Sequence, residues 1–150
     1  MKAIENASLR NIDVRIIIPH IPDKKIVFEL TKMHAEVLMK LNAKIYEYTP
    51  WFIHAKSFLC DDLLGIIGTV NLDYRSLTHH FENGVWIYND PVLKDLKNDL
   101  IKTMDDSILL NDNEIKVNVF RRIIRAILKI FAPLLWYRKR GIKWKMKFMQ

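Results

Sequence analysis

The stretch Phe52-Ile53-His54-Ala55-Lys56-Ser57-Phe58-Leu59-Cys60-Asp61-Asp62-Leu63-Leu64-Gly65-Ile66-Ile67-Gly68-Thr69 reads as two strands joined by a turn. Apolar residues dominate Phe52 to Cys60 and Leu64 to Thr69, and Asp61-Asp62 between them is a hairpin-turn signal. On a strand the side chains at i and i+2 share one face, so His54 and Lys56 are expected to point the same way, with Ala55 and Ser57 opposite. An imidazole beside an ammonium makes a phosphate site. The Lys supplies fixed positive charge and donors for a phosphoryl oxygen, and the His can act as nucleophile or general acid.

Working outward, Asp13 to Pro19 is a β-branched run ended by proline, the pattern of a strand buried on both faces. Lys25 to Leu41 places Val27, Leu30, Met33, Val37 and Leu41 close to helical spacing. Further strands are expected at Lys44 to Tyr48 and Gly84 to Tyr88. Asp90-Pro91 then opens an acid-rich helix through about Met104, with Asp90 as N-cap and Pro91 at the first helical position. A polar stretch from Asp105 to Glu114 follows. The order β-α-β-β-β-β-α, with a basic helix after it, predicts an α/β fold whose mixed sheet is flanked by helices.

At 150 residues the chain fits one domain able to bury about 68–70% of its unfolded surface, and an apolar content of 50% excludes a disordered or low-complexity protein. The single cysteine, Cys60, excludes an intrachain disulfide and, inside an apolar run, reads as a small buried hydrophobe. No signal peptide and no run of ~18 apolar residues is seen, so no spanning helix is expected in this chain. Charge is uneven: residues 1–115 hold 13 Lys+Arg against 17 Asp+Glu, whereas 116–150 hold 11 Lys+Arg and no acid. The expected organisation is a catalytic half-domain over 1–115 and a basic segment over 116–150 that packs on the domain or on a membrane surface. In that segment Phe120, Ile123, Ile124, Ile127, Leu128, Ile130 and Phe131 fall on one helical arc of about 160°, with Arg121, Arg122, Arg125 and Lys129 opposite. Such a helix suits a lipid interface, and Trp136, Trp144 and Phe148 among cations suit an anionic bilayer.

The second chemical block is Gly68-Thr69-Val70-Asn71-Leu72-Asp73-Tyr74-Arg75-Ser76. Gly68 permits close backbone approach, and Asn71 offers an amide donor for a second phosphate oxygen. Glu82 is placed to accept a hydrogen bond from His54 Nδ1, which would fix the tautomer with Nε2 toward phosphorus.

His-x-Lys-x4-Asp (His54, Lys56, Asp61) followed by Gly-Thr-x-Asn-Leu-Asp-x-Arg-Ser (Gly68, Thr69, Asn71, Leu72, Asp73, Arg75, Ser76) resembles the signature of the phospholipase D superfamily, and within it the C-terminal half of bacterial cardiolipin synthases. Val14 to Pro19, Pro22 to Lys25, Ile45 to Pro50, Phe81-Glu82 and the Arg-rich helix leading to Ala132-Pro133-Leu134-Leu135 extend the likeness over nearly the whole chain. The resemblance implies that His54 attacks phosphorus or protonates the leaving oxygen, that Lys56 and Asn71 hold the phosphate, and that Glu82 orients His54. It implies a structural part for Asp61, loop scaffolding for Asp73 and Arg75, and no metal or other cofactor. His34, His79 and His80 are left as surface or packing residues. The chain departs from the pattern at Trp51, where the family often has Gly, at Val70 in place of Ala, and at His79-His80, where Leu-Asn is more common.

The family's chemistry needs two such motifs, and this chain has one. The leading expectation is a partial or split phosphatidyltransferase that makes cardiolipin and glycerol from two phosphatidylglycerols through a phosphohistidine, peripheral to the cytoplasmic face of the cell membrane. Its partners would be phosphatidylglycerol, the anionic membrane surface and a second motif-bearing half, with no nucleic acid. A homodimeric single-motif phosphodiesterase or nuclease, and an inactive lipid-surface fragment, are the alternatives.

Overall fold

A computed structural model describes residues 2–22, 25–78 and 80–111, all within the first of the chain's two units, Met1–Lys116. The basic segment over 116–150 and His79 lie outside the described residues.

Two helices and two strands build the first layer. Helix α1 (Lys2–Leu9) leads to strand β1 (Arg15–Pro19), and helix α2 (Lys25–Met39) crosses over to strand β2 (Lys44–Tyr48). β1 and β2 run parallel with Arg15 opposite Lys44 and Pro19 opposite Tyr48, an arrangement that requires a crossover of helical length. Both helices stop at an asparagine in the left-handed region, Asn11 (φ 58°) and Asn42 (φ 68°). Each carries the paired hydrogen bonds of a Schellman ending. Ile12 N–H donates to the Ala7 carbonyl and Asn11 N–H to Ser8; Ala43 N–H donates to Leu38 and Asn42 N–H to Met39. The second helix therefore ends two residues before the Leu41 expected from spacing.

Strand β3 (Ser57–Cys60), strand β4 (Leu64–Gly68) and strand β5 (Gly84–Tyr88) form an antiparallel meander. Asp61 and Asp62 both sit at positive φ (50° and 56°), and Leu63 N–H closes the turn on the Cys60 carbonyl at 3.0 Å. Positive φ at both central positions marks the primed hairpin turn, which matches strand twist and tolerates Asp better than most residues. A short helix α3 (Tyr74–Thr78) lies between β4 and β5. Helix α4 (Val92–Asp105) follows, with Val92 N–H bonded to Asp90 Oδ1 at 2.9 Å and Pro91 already helical (φ −54°, ψ −28°). Strand β6 (Ser107–Leu109) then returns antiparallel to β2, with Ile108 opposite Glu47.

The architecture is α/β, as expected, but the described strands form two three-stranded sheets, β1-β2-β6 and β3-β4-β5, in place of one mixed sheet. Helix α4 touches strands of both. The core of the first layer gathers Ile18, Ala35, Leu38, Ala43, Ile45 and Leu110, with Ile45 fully buried at the centre. On the second sheet Leu93 and Leu96 of α4 are buried over Gly65. Three further expectations are corrected. The third strand begins at Ser57, not Phe52. The polar stretch after Met104 contains β6, whose neighbour Leu110 is buried. Cys60 is exposed: it ends β3 beside the turn, and its thiol donates toward Asp61 Oδ2 at 3.6 Å. The neighbouring Asp61 charge, followed by burial, pushes that thiol above its usual pKa.

Two predictions follow from this packing. A Cβ at Gly65 would meet Leu93 Cδ2 at 2.6 Å and Leu96 Cδ2 at 3.0 Å, both ends of flexible side chains, whereas one at Gly68 would meet the Asn83 carbonyl oxygen at 2.3 Å and Gly84 Cα at 2.7 Å, which are backbone. Gly65→Ala should lower stability within the roughly 1–3 kcal/mol of ordinary overpacking and Gly68→Ala by more, as read from urea midpoints; equal midpoints would contradict this packing. At the start of the parallel pair, Asp13 is bonded to Arg15 (2.6 Å) and Lys44 (2.9 Å), and these bonds, Arg15 first, lower its pKa from 3.8 to about 2. The stability this group contributes is complete above pH 3.8 and is lost as pH falls towards about 2. Because the pair is half exposed the amount is below about 1 kcal/mol, and Asp13→Asn should flatten the stability profile in that window alone.

Candidate active site

Several of the residues singled out by sequence, Lys56, Gly68, Thr69, Asn71 and Glu82 among them, lie where β3 begins and β4 ends. The segment entering β3 is ordered by aromatic contacts. Tyr48 and Trp51 meet edge to face at 5.9 Å, and Phe52 stacks on His54 at 5.8 Å. No ladder forms over Phe52 to Ala55, and pairing starts only where Gly68 N–H donates to the Lys56 carbonyl at 3.0 Å. The same-face argument for His54 and Lys56 therefore does not rest on a strand. A different contact joins them: Lys56 Nζ turns back to donate to the His54 carbonyl oxygen at 2.6 Å. The His54 ring is exposed.

Beyond Gly68 the chain is held by Thr69. Its N–H donates to the Asn83 carbonyl at 2.8 Å, and its Oγ1 accepts from Asn83 N–H at 3.0 Å while donating to Glu82 Oε2 at 2.5 Å. One threonine thus fixes both the backbone and the carboxylate of the segment entering β5. Asp73 starts α3 by accepting from Ser76 N–H at 2.7 Å, a capping bond. The helix turns Ser76 inward, where it is 6% exposed and its Oγ receives Asn71 Nδ2 at 3.4 Å. The Arg75 side chain lies outside the described part of the structure.

Glu82 collects these contacts. Donation from Thr69, then from Ser76, holds its carboxyl below the usual carboxylate range, and the neighbouring His80 and Lys56 act in the same direction. Its side chain is 14% exposed, and His80 Nδ1 stands 3.7 Å from Oε1. The expected hydrogen bond from His54 to Glu82 is not made among the described residues; Thr69 and Ser76 engage the carboxylate. The site therefore brings together Lys56, Gly68, Thr69, Asn71, Ser76 and Glu82, with His54 attached through its main chain. Asp61 stands apart, on the turn at the far end of β3. His80, read from sequence as a surface or packing residue, is exposed, at 40% of its side chain.

In this corner the structure gathers an imidazole, an ammonium, an amide donor and a carboxylate, a set suited to a phosphodiester. A family model described as cardiolipin synthase, PLD-like domain matches residues 1–104. The chain belongs to that family. An uncharacterized protein of Streptococcus mutans is 42% identical to it over 134 residues, which cover 89% of this chain and 29% of that protein. The cardiolipin synthase of Halalkalibacterium halodurans is 32% identical over 141 residues, covering 90% of this chain and 27% of the relative. That of Geobacillus thermodenitrificans is 34% identical over 136 residues, with coverage of 90% and 27%. Among solved structures, a phospholipase D family member, Nuc from Salmonella typhimurium, matches with a TM-score of 0.63 at 19% identity, over 73% of this chain and 72% of that one, a likeness of fold. The chain spans less than a third of the length of the curated relatives it matches.

If Thr69 is the anchor of this family member's carboxylate, Thr69→Val should raise the Glu82 pKa towards its ordinary value while removing about 1 kcal/mol of stability, because a donor to the charged form has gone. Carbon-detected NMR titration of Glu82 checks this, and an unmoved titration would assign the lowered pKa to other groups.

Proposed function

We propose that the chain is one half-site of a cardiolipin-synthase-type phosphatidyltransferase, acting on phosphatidylglycerol through a phosphohistidine and completed by a second motif-bearing half. The observation that carries this reading is the convergence of Lys56, Asn71 and Glu82 beside His54 in a chain of the cardiolipin synthase family.

His54 Nε2 attacks the phosphorus of a bound phosphatidylglycerol. Lys56 Nζ exchanges the neutral His54 carbonyl for a phosphoryl oxygen, an ionised and therefore stronger acceptor. Asn71 Nδ2, 3.4 Å from Ser76 Oγ, is free to strengthen a bond to a second oxygen at little loss. Glu82 balances the Lys56 charge and keeps the neighbourhood from becoming a purely cationic trap for phosphate. Departure of glycerol needs a proton on its oxygen, and the hydroxyl of a second phosphatidylglycerol then attacks the phosphohistidine to give cardiolipin. The basic segment over 116–150 supports a peripheral place on an anionic membrane surface, on the cytoplasmic side. Among the described residues no helix is long and apolar enough to cross a membrane.

The test is the purified chain in vesicles containing phosphatidylglycerol, alone and with the N-terminal half of a cardiolipin synthase. Cardiolipin formed with the added half, and reduced at least about a hundredfold by His54→Ala, is the expected result. Product from the chain alone that His54→Ala abolishes would mean that two copies complete the site. Lack of cardiolipin in both settings, or product indifferent to His54, would refute the assignment.

A further inference from the structure

The geometry points to the outer edge of β5 as a self-association surface, where a second copy of this chain adds its own β5 antiparallel about a two-fold axis through Trp86. The two β3-β4-β5 sheets then become one. The inference does not rest on the phosphohistidine reading and goes beyond it.

Strand β5 pairs with β4, Leu64 opposite Tyr88 and Gly68 opposite Gly84, and among the described residues no strand lies on its other side. The ladder decides which backbone groups face that open side. Thr69 N–H donates to the Asn83 carbonyl and Asn89 N–H to the Leu63 carbonyl, and hydrogen-bonded pairs alternate along an antiparallel ladder. Val85 and Ile87 therefore bond to β4, whereas Gly84, Trp86 and Tyr88 direct their N–H and C=O groups away from it. Side chains alternate in the same way. Val85 and Ile87 share the face of Gly65, over which Leu93 and Leu96 pack, while Trp86 and Tyr88 lie on the opposite face, 70% and 71% exposed. Exposed apolar edges are normally blunted by Lys, Pro, a bulge or a covering element. Asn83 to Asn89 holds no charge and no proline, and the register with β4 runs through all of Gly84 to Tyr88 without a bulge. The edge strand β1, by contrast, carries Arg15 and Pro19, and β6 has only three residues.

The strand is complementary to itself, and this selects a second copy as the occupant. Turned about Trp86, Gly84 falls opposite Tyr88 of the second copy, Val85 opposite Ile87, and Trp86 opposite its own equivalent. β-Branched residues then meet on one face and aromatics on the other, with Tyr88 covering the glycine, and such cross-strand pairs stabilise sheets. Each outward N–H and C=O gains a partner. Pairing stops at the strand ends, where Glu82 turns back to Thr69 and Asp90 caps α4. A contact of this symmetry closes at two copies. The axis also reverses the strands, so the two His54 segments, each entering β3 near the Gly68 end, fall at opposite ends of the joined sheet. Each half-site stays open to a second motif-bearing half.

Five residues a side make a weak class of interface, so the full chain should pass from monomer to dimer between about 1 and 100 µM in sedimentation equilibrium. Trp86→Lys sets like charges opposite each other at an exposed position and should weaken the dimer at least about tenfold, with the far-UV spectrum and urea midpoint kept near those of the unaltered chain. Cross-linking reads the register and decides the matter if that variant folds poorly. In a Cys60→Ser background, Trp86→Cys should oxidise to a covalent dimer, since directly opposed Cα atoms stand about 5.5 Å apart, whereas Tyr88→Cys, about 13 Å from its equivalent, should not. A monomer at the highest concentration, a dimer indifferent to Trp86→Lys, open-ended multimers, or equal cross-linking at the two positions would overturn the proposal. So would an edge whose Trp86 amide becomes protected from exchange only when the N-terminal half of a cardiolipin synthase is added, a result that gives the edge to a strand of that half.

Discussion

The site depends on how closely the backbones of β4 and β5 approach at their ends. Gly68 lies opposite Gly84, and at that crossing the Asn83 carbonyl sits where a side chain at 68 would be. Only this approach lets Thr69 N–H reach Asn83 at 2.8 Å and lets its hydroxyl reach Glu82. From there the order spreads outward. Glu82 takes a second hydroxyl from Ser76, Ser76 is turned inward by a helix that Asp73 starts, and Asn71 bonds to Ser76. Each of these bonds contributes only about 1 kcal/mol net, somewhat more where the carboxylate accepts. Their effect is positional, since they fix three side chains around one charge.

The first layer acts as the platform. Its core of Ile18, Leu38, Ala43 and Ile45 sets the parallel pair β1-β2, and β2 leads directly into the aromatic segment that presents His54. Helix α4 joins that platform to the hairpin layer, and Leu93 and Leu96 seat it against β4 where Gly65 leaves room. Chemistry therefore sits at the edge of one layer and is steadied by a helix that serves both.

Sequence pattern disclosed those parts of the molecule whose signals are local. β2 and β5 were bounded to the residue, the Asp61-Asp62 turn was found from turn chemistry, and Asp90 was found from capping preference. What escaped depends on distant partners. β6 has three residues, too few for a periodic signal, and exists because β2 offers an edge. The separation of the strands into two sheets follows from pairing choices that an apolar run does not encode. The His54 segment looked like strand by composition but has no ladder partner before Lys56. Residue identity exposed the motif itself, whereas the true hydrogen-bond partners of Glu82 lie 13 and 6 residues away in sequence and needed the fold to be seen. Cys60 was misjudged because hydrophobic neighbours say little about a position at the rim of a hairpin.

Gly68 also shapes how such a protein tolerates change. A position without a functional group is here among the hardest to replace, because what it contributes is the space that the Asn83 carbonyl fills. A saturation library scored for turnover would rank that glycine beside the histidine and lysine, although it has no atom to offer a phosphate. Intolerance to substitution here therefore traces the outline of the candidate site and its scaffold alike, and telling them apart calls for a readout of chemistry in addition to one of survival.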